Sequence, residues 1–84
     1  MGYYFDLPSR WVFVYFADGL KLNVMNTDTF SDAEAQEIAD EWTNSSRGQK
    51  HGEVVRVDFE NSKGKLLKFW LLGKDGKMER EPLF

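Results

Sequence analysis

The sequence predicts an α+β domain in which an antiparallel sheet of four to five strands carries one helix on one face. Residues 29–44 are the one segment with helical periodicity. Several other segments are rich in β-branched and aromatic residues, and short glycine-containing turns join them as antiparallel neighbours. The predicted element order is β-β-α-β-β-β, and the 84 residues are predicted to form a single domain. The order of the strands within the sheet does not follow from these patterns.

The helix prediction rests on its start signal and on one apolar stripe. Ser31 and Glu34 have the spacing of a capping box, in which each side chain accepts a hydrogen bond from the other residue's backbone. The apolar stripe has the i, i+3, i+4, i+7 spacing of one helix face and consists of Ala35, Ile38, Ala39 and Trp42. We expect this stripe to be buried against the sheet.

Residues 10–17 are the strongest strand segment, since apolar residues occupy both faces, as in a central strand. Residues 20–26 alternate, with Leu20, Leu22 and Val24 on the apolar side. A type I′ turn between the two strands would place this side against Trp11, Phe13 and Tyr15. A type I turn with Gly19 as a left-handed bulge residue would place it against Val12, Val14 and Phe16. The second alternative is favoured because the two later turns share its pattern.

The second half of the chain is predicted to contain a flexible polar loop at residues 43–52 and then three strands. A type I turn with a glycine bulge at residues 61–64 sets the register of the first two. That register places Arg56 opposite Trp70 and Asp58 opposite Lys68, on the face away from the helix. The last strand, residues 77–81, would then place Arg80 on the other side of Trp70.

The same register also determines the face on which the acidic residues of the last strand lie. It turns Glu79 and Glu81 towards the helix side, which is expected only of an edge strand beyond the cover of the helix.

The face of the sheet away from the helix is the main predicted partner-binding surface, because a single helix covers only one face. Its predicted members are Trp11, Phe13, Tyr15, Arg56, Lys68, Trp70 and Arg80. A homodimer through this face is the favoured interpretation. The competing interpretation is that the chain's own ends cover it, since residues 1–9 form an aromatic arm and Leu83 and Phe84 end the chain.

One alternative function and one further contact surface compete with this interpretation. The alternative function is binding of single-stranded nucleic acid, with stacking on Trp11, Tyr15 and Trp70 and phosphate contacts from Arg56, Lys68 and Arg80. The second candidate contact surface is the acidic helix face, which consists of Glu34, Glu37, Asp40 and Glu41. For that face, a solvated surface that keeps the protein in solution is the simpler interpretation.

Composition and sequence motifs narrow the range of possible functions further. The chain has no cysteine and a net charge of −3. Residues 1–45 hold 8 acidic and 2 basic residues, whereas residues 46–84 hold 6 acidic and 9 basic residues. No phosphate-binding loop, metal-ligand spacing or nucleophile motif is present, and His51 is the single histidine.

The sequence therefore predicts a small acidic, non-catalytic protein without cofactor or metal. We expect it to act as an inhibitor or adaptor that binds a protein partner or itself. A cytoplasmic location without membrane association is expected, since no apolar run is long enough to span a bilayer and a chain without cysteine suits a reducing compartment.

Overall fold

The computed structural model describes residues 10–83; the predicted aromatic arm at residues 1–9 and Phe84 lie outside the described residues. One antiparallel sheet contains β1 (Arg10–Phe16), β2 (Lys21–Asn26), β3 (Val54–Asn61), β4 (Leu66–Leu72) and β5 (Met78–Glu81). The strands lie in the order β2-β1-β3-β4-β5, with β1 and β3 at the centre. Two helices, α1 (Asp32–Thr43) and α2 (Ser46–His51), pack on one face, which we call the helix side. The predicted α+β class is confirmed, with one helix more than expected.

The start of α1 is as the sequence predicts. The Ser31 hydroxyl accepts a hydrogen bond from the Glu34 backbone at 3.2 Å, and the Glu34 carboxylate accepts one from the Ser31 backbone at 2.9 Å. Ala35 and Ala39 are buried, because the stripe faces β3 and β5. The two larger members of the stripe are half-buried and pack against the same core.

Helix α2 corrects the prediction of a flexible polar loop at residues 43–52. Ser45 caps it by accepting a hydrogen bond from the Gly48 backbone at 3.2 Å, and its hydroxyl donates to the Trp42 carbonyl at 2.6 Å. Gly48 is buried, and a Cβ atom there would collide with the Thr43 carbonyl. The close approach of the backbones of α2 and the end of α1, rather than side-chain burial, thus holds α2 in place. For this reason its sequence shows no apolar stripe that would predict a helix.

The first hairpin confirms the favoured turn. The Phe16 backbone donates to the Leu20 carbonyl at 2.9 Å, and Gly19 has a φ of 96°, a left-handed conformation that favours glycine. Val14 therefore lies opposite Leu22 on the helix side. A bulge near the far end of the hairpin brings Met25 opposite the buried Val12, so Met25 lies on the helix side, whereas the predicted alternation of Leu20, Leu22 and Val24 places it on the opposite face.

The hairpin between β3 and β4 departs from the predicted register. The turn itself forms as expected, since the Asn61 backbone donates to the Lys65 carbonyl at 2.9 Å and Gly64 has a φ of 82°. Beyond the turn, a bulge accommodates Leu67 as an extra residue in β4, so that Val57 rather than Arg56 lies opposite Trp70. Because side chains alternate along a strand, this one-residue shift exchanges the two faces of β4.

The exchange of faces continues into β5. Trp70 is fully buried on the helix side, and Arg80 lies opposite it in β5 as predicted, although on the other face of the sheet. Glu79 and Glu81 consequently lie on the face away from the helices, not on the helix side as the sequence register implied.

Trp70 fixes the start of α1 against the sheet. Its indole Nε1 donates to the Asp32 carboxylate at 2.9 Å, and its ring meets the Phe30 ring edge-on with centroids 5.4 Å apart. Lys68 donates to the Phe30 carbonyl at 3.2 Å, and Arg80 lies 3.7 Å from Asp32. The end of α1 is tied to β3, because the Val54 backbone donates to Thr43 at 2.9 Å.

We predict that Trp70→Ala lowers the free energy of unfolding by about 3 to 5 kcal/mol, because it empties the largest fully buried site of the core. Trp42→Ala is the matched control and should cost less, since its ring is only half-buried. Urea unfolding followed by far-ultraviolet circular dichroism measures both. A larger loss for Trp42→Ala would contradict this arrangement of the core.

Candidate partner-binding surface

The outer face is the sheet surface opposite both helices. It carries three rings that the sequence assigned to it, Trp11, Phe13 and Tyr15, and two apolar residues that the register shift adds, Phe69 and Leu71. The added pair was missed because the sequence gives no sign of the bulge at Leu67. Trp11 and Leu71 are each 38 % exposed, a large fraction for side chains of this size, and lie at opposite ends of the row.

The middle of the outer face is a guanidinium group held between two rings. The Cζ atom of Arg56 lies 4.6 Å from the centroid of the Phe69 ring and 5.4 Å from that of Tyr15. A cation over an aromatic face is attracted by the ring quadrupole, with about 0.5 to 2 kcal/mol for each contact. Arg56 therefore joins the aromatic residues of β1 to those of β4 across β3.

A carboxylate in the same strand orients this guanidinium. Arg56 donates from Nε to the Asp58 carboxylate at 2.6 Å and from a terminal nitrogen at 3.3 Å. The hydrogen bond to Asp58 raises the pKa of Arg56 above its usual value, with a smaller contribution from the charge of that carboxylate. Asp58 is only 2 % exposed and is thus a buried charge that depends on its partner.

A second cation extends the row to the edge of the sheet. Lys21 Nζ lies 4.3 Å from the centroid of the Phe13 ring, 5.5 Å from that of Tyr15 and 3.5 Å from the Glu60 carboxylate. The Tyr15 hydroxyl, and to a lesser degree Glu60, raises the pKa of Lys21. Rings and cations thus alternate across four strands.

Three of the predicted outer-face residues do not belong to this surface. Trp70, Lys68 and Arg80 lie on the helix side, where they contact the start of α1. The structure therefore brings together Trp11, Phe13, Tyr15 and Arg56 and separates them from the other three. The predicted pairing of an arginine with aromatic rings is present, but Tyr15 and Phe69 take the place assigned to Trp70.

The acidic helix face divides into residues with local partners and residues without them. Glu34 belongs to the capping box, and Asp40 accepts a hydrogen bond from Gln36 at 3.0 Å. Within residues 10–83, Glu37 and Glu41 form neither a side-chain hydrogen bond nor a salt bridge.

The two unpaired carboxylates border a cavity of about 180 Å³ between α1 and β2, which we call the acidic groove. Its apolar lining is Met25, Phe30 and Ile38, and its rim is Glu34, Glu37 and Glu41.

The described part of the chain contains no group of three metal-ligating side chains. Neither described helix is long and apolar enough to cross a membrane. No protein-family model matches the sequence, and no curated protein or solved structure is significantly similar to it. The outer face and the acidic groove are therefore the candidate functional surfaces of the described residues.

We predict that Arg56→Ala is more destabilising than Asp58→Ala. Removing Arg56 leaves a carboxylate that is almost fully buried without its partner, a cost of about 3 kcal/mol, whereas the guanidinium left by Asp58→Ala is partly exposed and can be hydrated. Lys21→Ala, on the same face but in a more exposed pair, should cost less than about 1 kcal/mol. Urea unfolding of the three variants tests this order, and equal losses for Arg56→Ala and Lys21→Ala would contradict it.

Proposed function

We propose that this protein is a non-catalytic binding protein of the inhibitor or adaptor type that self-associates through the outer face, with the acidic helix face as a second contact surface. The observation that carries the proposal is the row of rings on the outer face, which neither described helix covers. Tryptophan, tyrosine and arginine are the residues most enriched where interfaces gain their binding energy. The cytoplasm is part of this proposal, since a chain without cysteine suits a reducing compartment.

The charges of the outer face support contact with a second copy of the same surface. Its two cations are neutralised within the face, Arg56 by Asp58 and Lys21 by Glu60. The aromatic row on β1, β3 and β4 therefore presents little net charge, and two copies of it can approach without strong repulsion, while the additional carboxylates of the face, Glu79 and Glu81, lie to one side of the row on the edge strand β5. In a two-fold dimer the same patch serves both subunits, which is the commonest form of homo-oligomer.

The charges of the outer face also disfavour the alternative function, which is binding of single-stranded nucleic acid. Lys68 and Arg80, two of the three cations assigned to phosphate contacts, lie on the helix side. The outer face instead gains Glu79 and Glu81, which have no cation opposite them in β4. A surface with more carboxylates than cations repels a phosphate backbone, whereas nucleic-acid affinity comes largely from Lys and Arg contacts to phosphates.

We predict that the wild-type protein elutes at twice its 9.8 kDa chain mass. Leu71→Lys should raise the dimer dissociation constant at least about tenfold, because it replaces an apolar contact by a charge that must lose its hydration when the contact forms, even with Glu79 opposite it in β5. Size-exclusion chromatography with multi-angle light scattering over a dilution series measures both. Met25→Lys is the matched control, since Met25 is also 38 % exposed but lies on the helix side.

A second variant separates loss of contact area from added charge. Trp11→Ala removes an exposed ring without adding a charge and should also weaken the dimer. Circular dichroism confirms that each variant is folded. A wild-type protein that stays monomeric at the highest concentration overturns the proposal, and so does a Met25→Lys variant that dissociates as readily as Leu71→Lys.

We further predict that a single-stranded oligonucleotide leaves the tryptophan fluorescence unchanged at low salt. Stacking of bases on Trp11 would quench the emission, and a phosphate-driven complex would weaken steeply with added salt. Quenching that disappears with salt would favour the nucleic-acid alternative over self-association. The control is the same titration with Trp11→Ala, which removes the outer-face tryptophan and retains the two on the helix side.

A further inference from the structure

The acidic groove is a concave apolar surface at the edge of the sheet. Helix α1 packs over β3 and β5, which lie on the other side of β1 from β2, so the helix side of β2 is incompletely covered. Leu22 and Val24 are only half-buried there, and Met25 is exposed. A cavity of about 150 Å³ holds a benzene ring. The groove, at about 180 Å³, thus has room for one large apolar side chain.

The rim of the groove is negatively charged over about two turns of α1. Glu34, Glu37 and Glu41 follow an i, i+3, i+7 spacing and all border the groove. Glu34 and Glu41 are separated by about 10 Å along the helix axis, from the rise of 1.5 Å per residue. The last turn of α1 contains no basic residue, so no cation within the helix offsets Glu41.

We propose that the acidic groove binds a basic amphipathic helix of a partner protein, which inserts a large apolar side chain and pairs Lys or Arg residues with Glu37 and Glu41. A helix that lies beside α1 presents its own side chains at the same i, i+3, i+7 spacing and matches the row of carboxylates. Charge complementarity selects a cationic segment, and the apolar floor requires that this segment also carry an apolar stripe. This inference rests on the proposed binding function and names the partner class for its second surface.

The test uses fluorescence anisotropy with a fluorescein-labelled synthetic peptide of leucine and lysine, with the leucines at helical spacing. A scrambled peptide has the same composition but no apolar stripe. The intact protein should bind the helical peptide at least about tenfold more tightly than the scrambled one. Equal affinity for the two peptides, or no binding of either, overturns the proposal.

Charge-reversal variants locate the contact. Glu37→Lys/Glu41→Lys should weaken binding of the helical peptide at least about tenfold, because two attractive pairs become repulsive. Glu53→Lys/Asp75→Lys makes the same change in net charge at exposed positions outside the groove and should keep the affinity within about twofold. Equal losses in both double variants would show attraction to the whole protein's charge and would overturn a groove-specific site.

The proposals for the outer face and for the acidic groove can be refuted independently of each other. Met25→Lys should abolish peptide binding and leave the dimer intact, whereas Leu71→Lys should dissociate the dimer and leave peptide binding unchanged. A monomeric protein that still binds the helical peptide in the groove overturns self-association alone. A dimer with no selective peptide binding overturns the groove alone.

Discussion

The packing of Trp70 beneath the start of α1 is the interaction on which the rest of the structure depends. The indole fills the core and uses its single donor on Asp32, while Phe30 closes over the ring edge. A buried tryptophan needs a partner for its N–H, and the first turn of a helix is a favourable place for the carboxylate that accepts it. One residue of β4 thus sets both the position of the helix and the face of the sheet that the helix covers.

That choice of face determines the outer surface as well, because strand side chains alternate. With Trp70 on the helix side, Phe69 and Leu71 face outwards and complete the row that Arg56 organises. The cation–ring contacts hold in place side chains that neither described helix covers. A preorganised surface loses less side-chain freedom when a partner binds, so the same contacts that stabilise the face favour its use in association.

Local signals predicted much of the fold, and the errors have specific causes. The capping box at Ser31 and the left-handed position of Gly19 depend on neighbouring residues alone, and both were correct. The bulge at Leu67 was not predictable, because LLKFWLL is apolar on both faces and either register buries leucine and aromatic side chains. Helix α2 was missed since its formation depends on contact between Gly48 and the end of α1, a tertiary feature without a periodic pattern.

The same bulge explains why the candidate site was only partly predicted from sequence. In the register predicted from sequence, Lys68 and Arg80 lie beside aromatic residues on the outer face. In the fold these two cations contact the start of α1 instead. The cations that remain on the outer face are paired with carboxylates of the same face. On α1, Glu34 is part of the capping box, and Asp40 accepts a hydrogen bond from Gln36, which lies one turn before it. Glu41 lies near the helix C-terminus, where a negative charge is unfavourable by about 0.3 to 1 kcal/mol. Folding alone gives no reason for that residue to be acidic, whereas a cationic ligand in the acidic groove does.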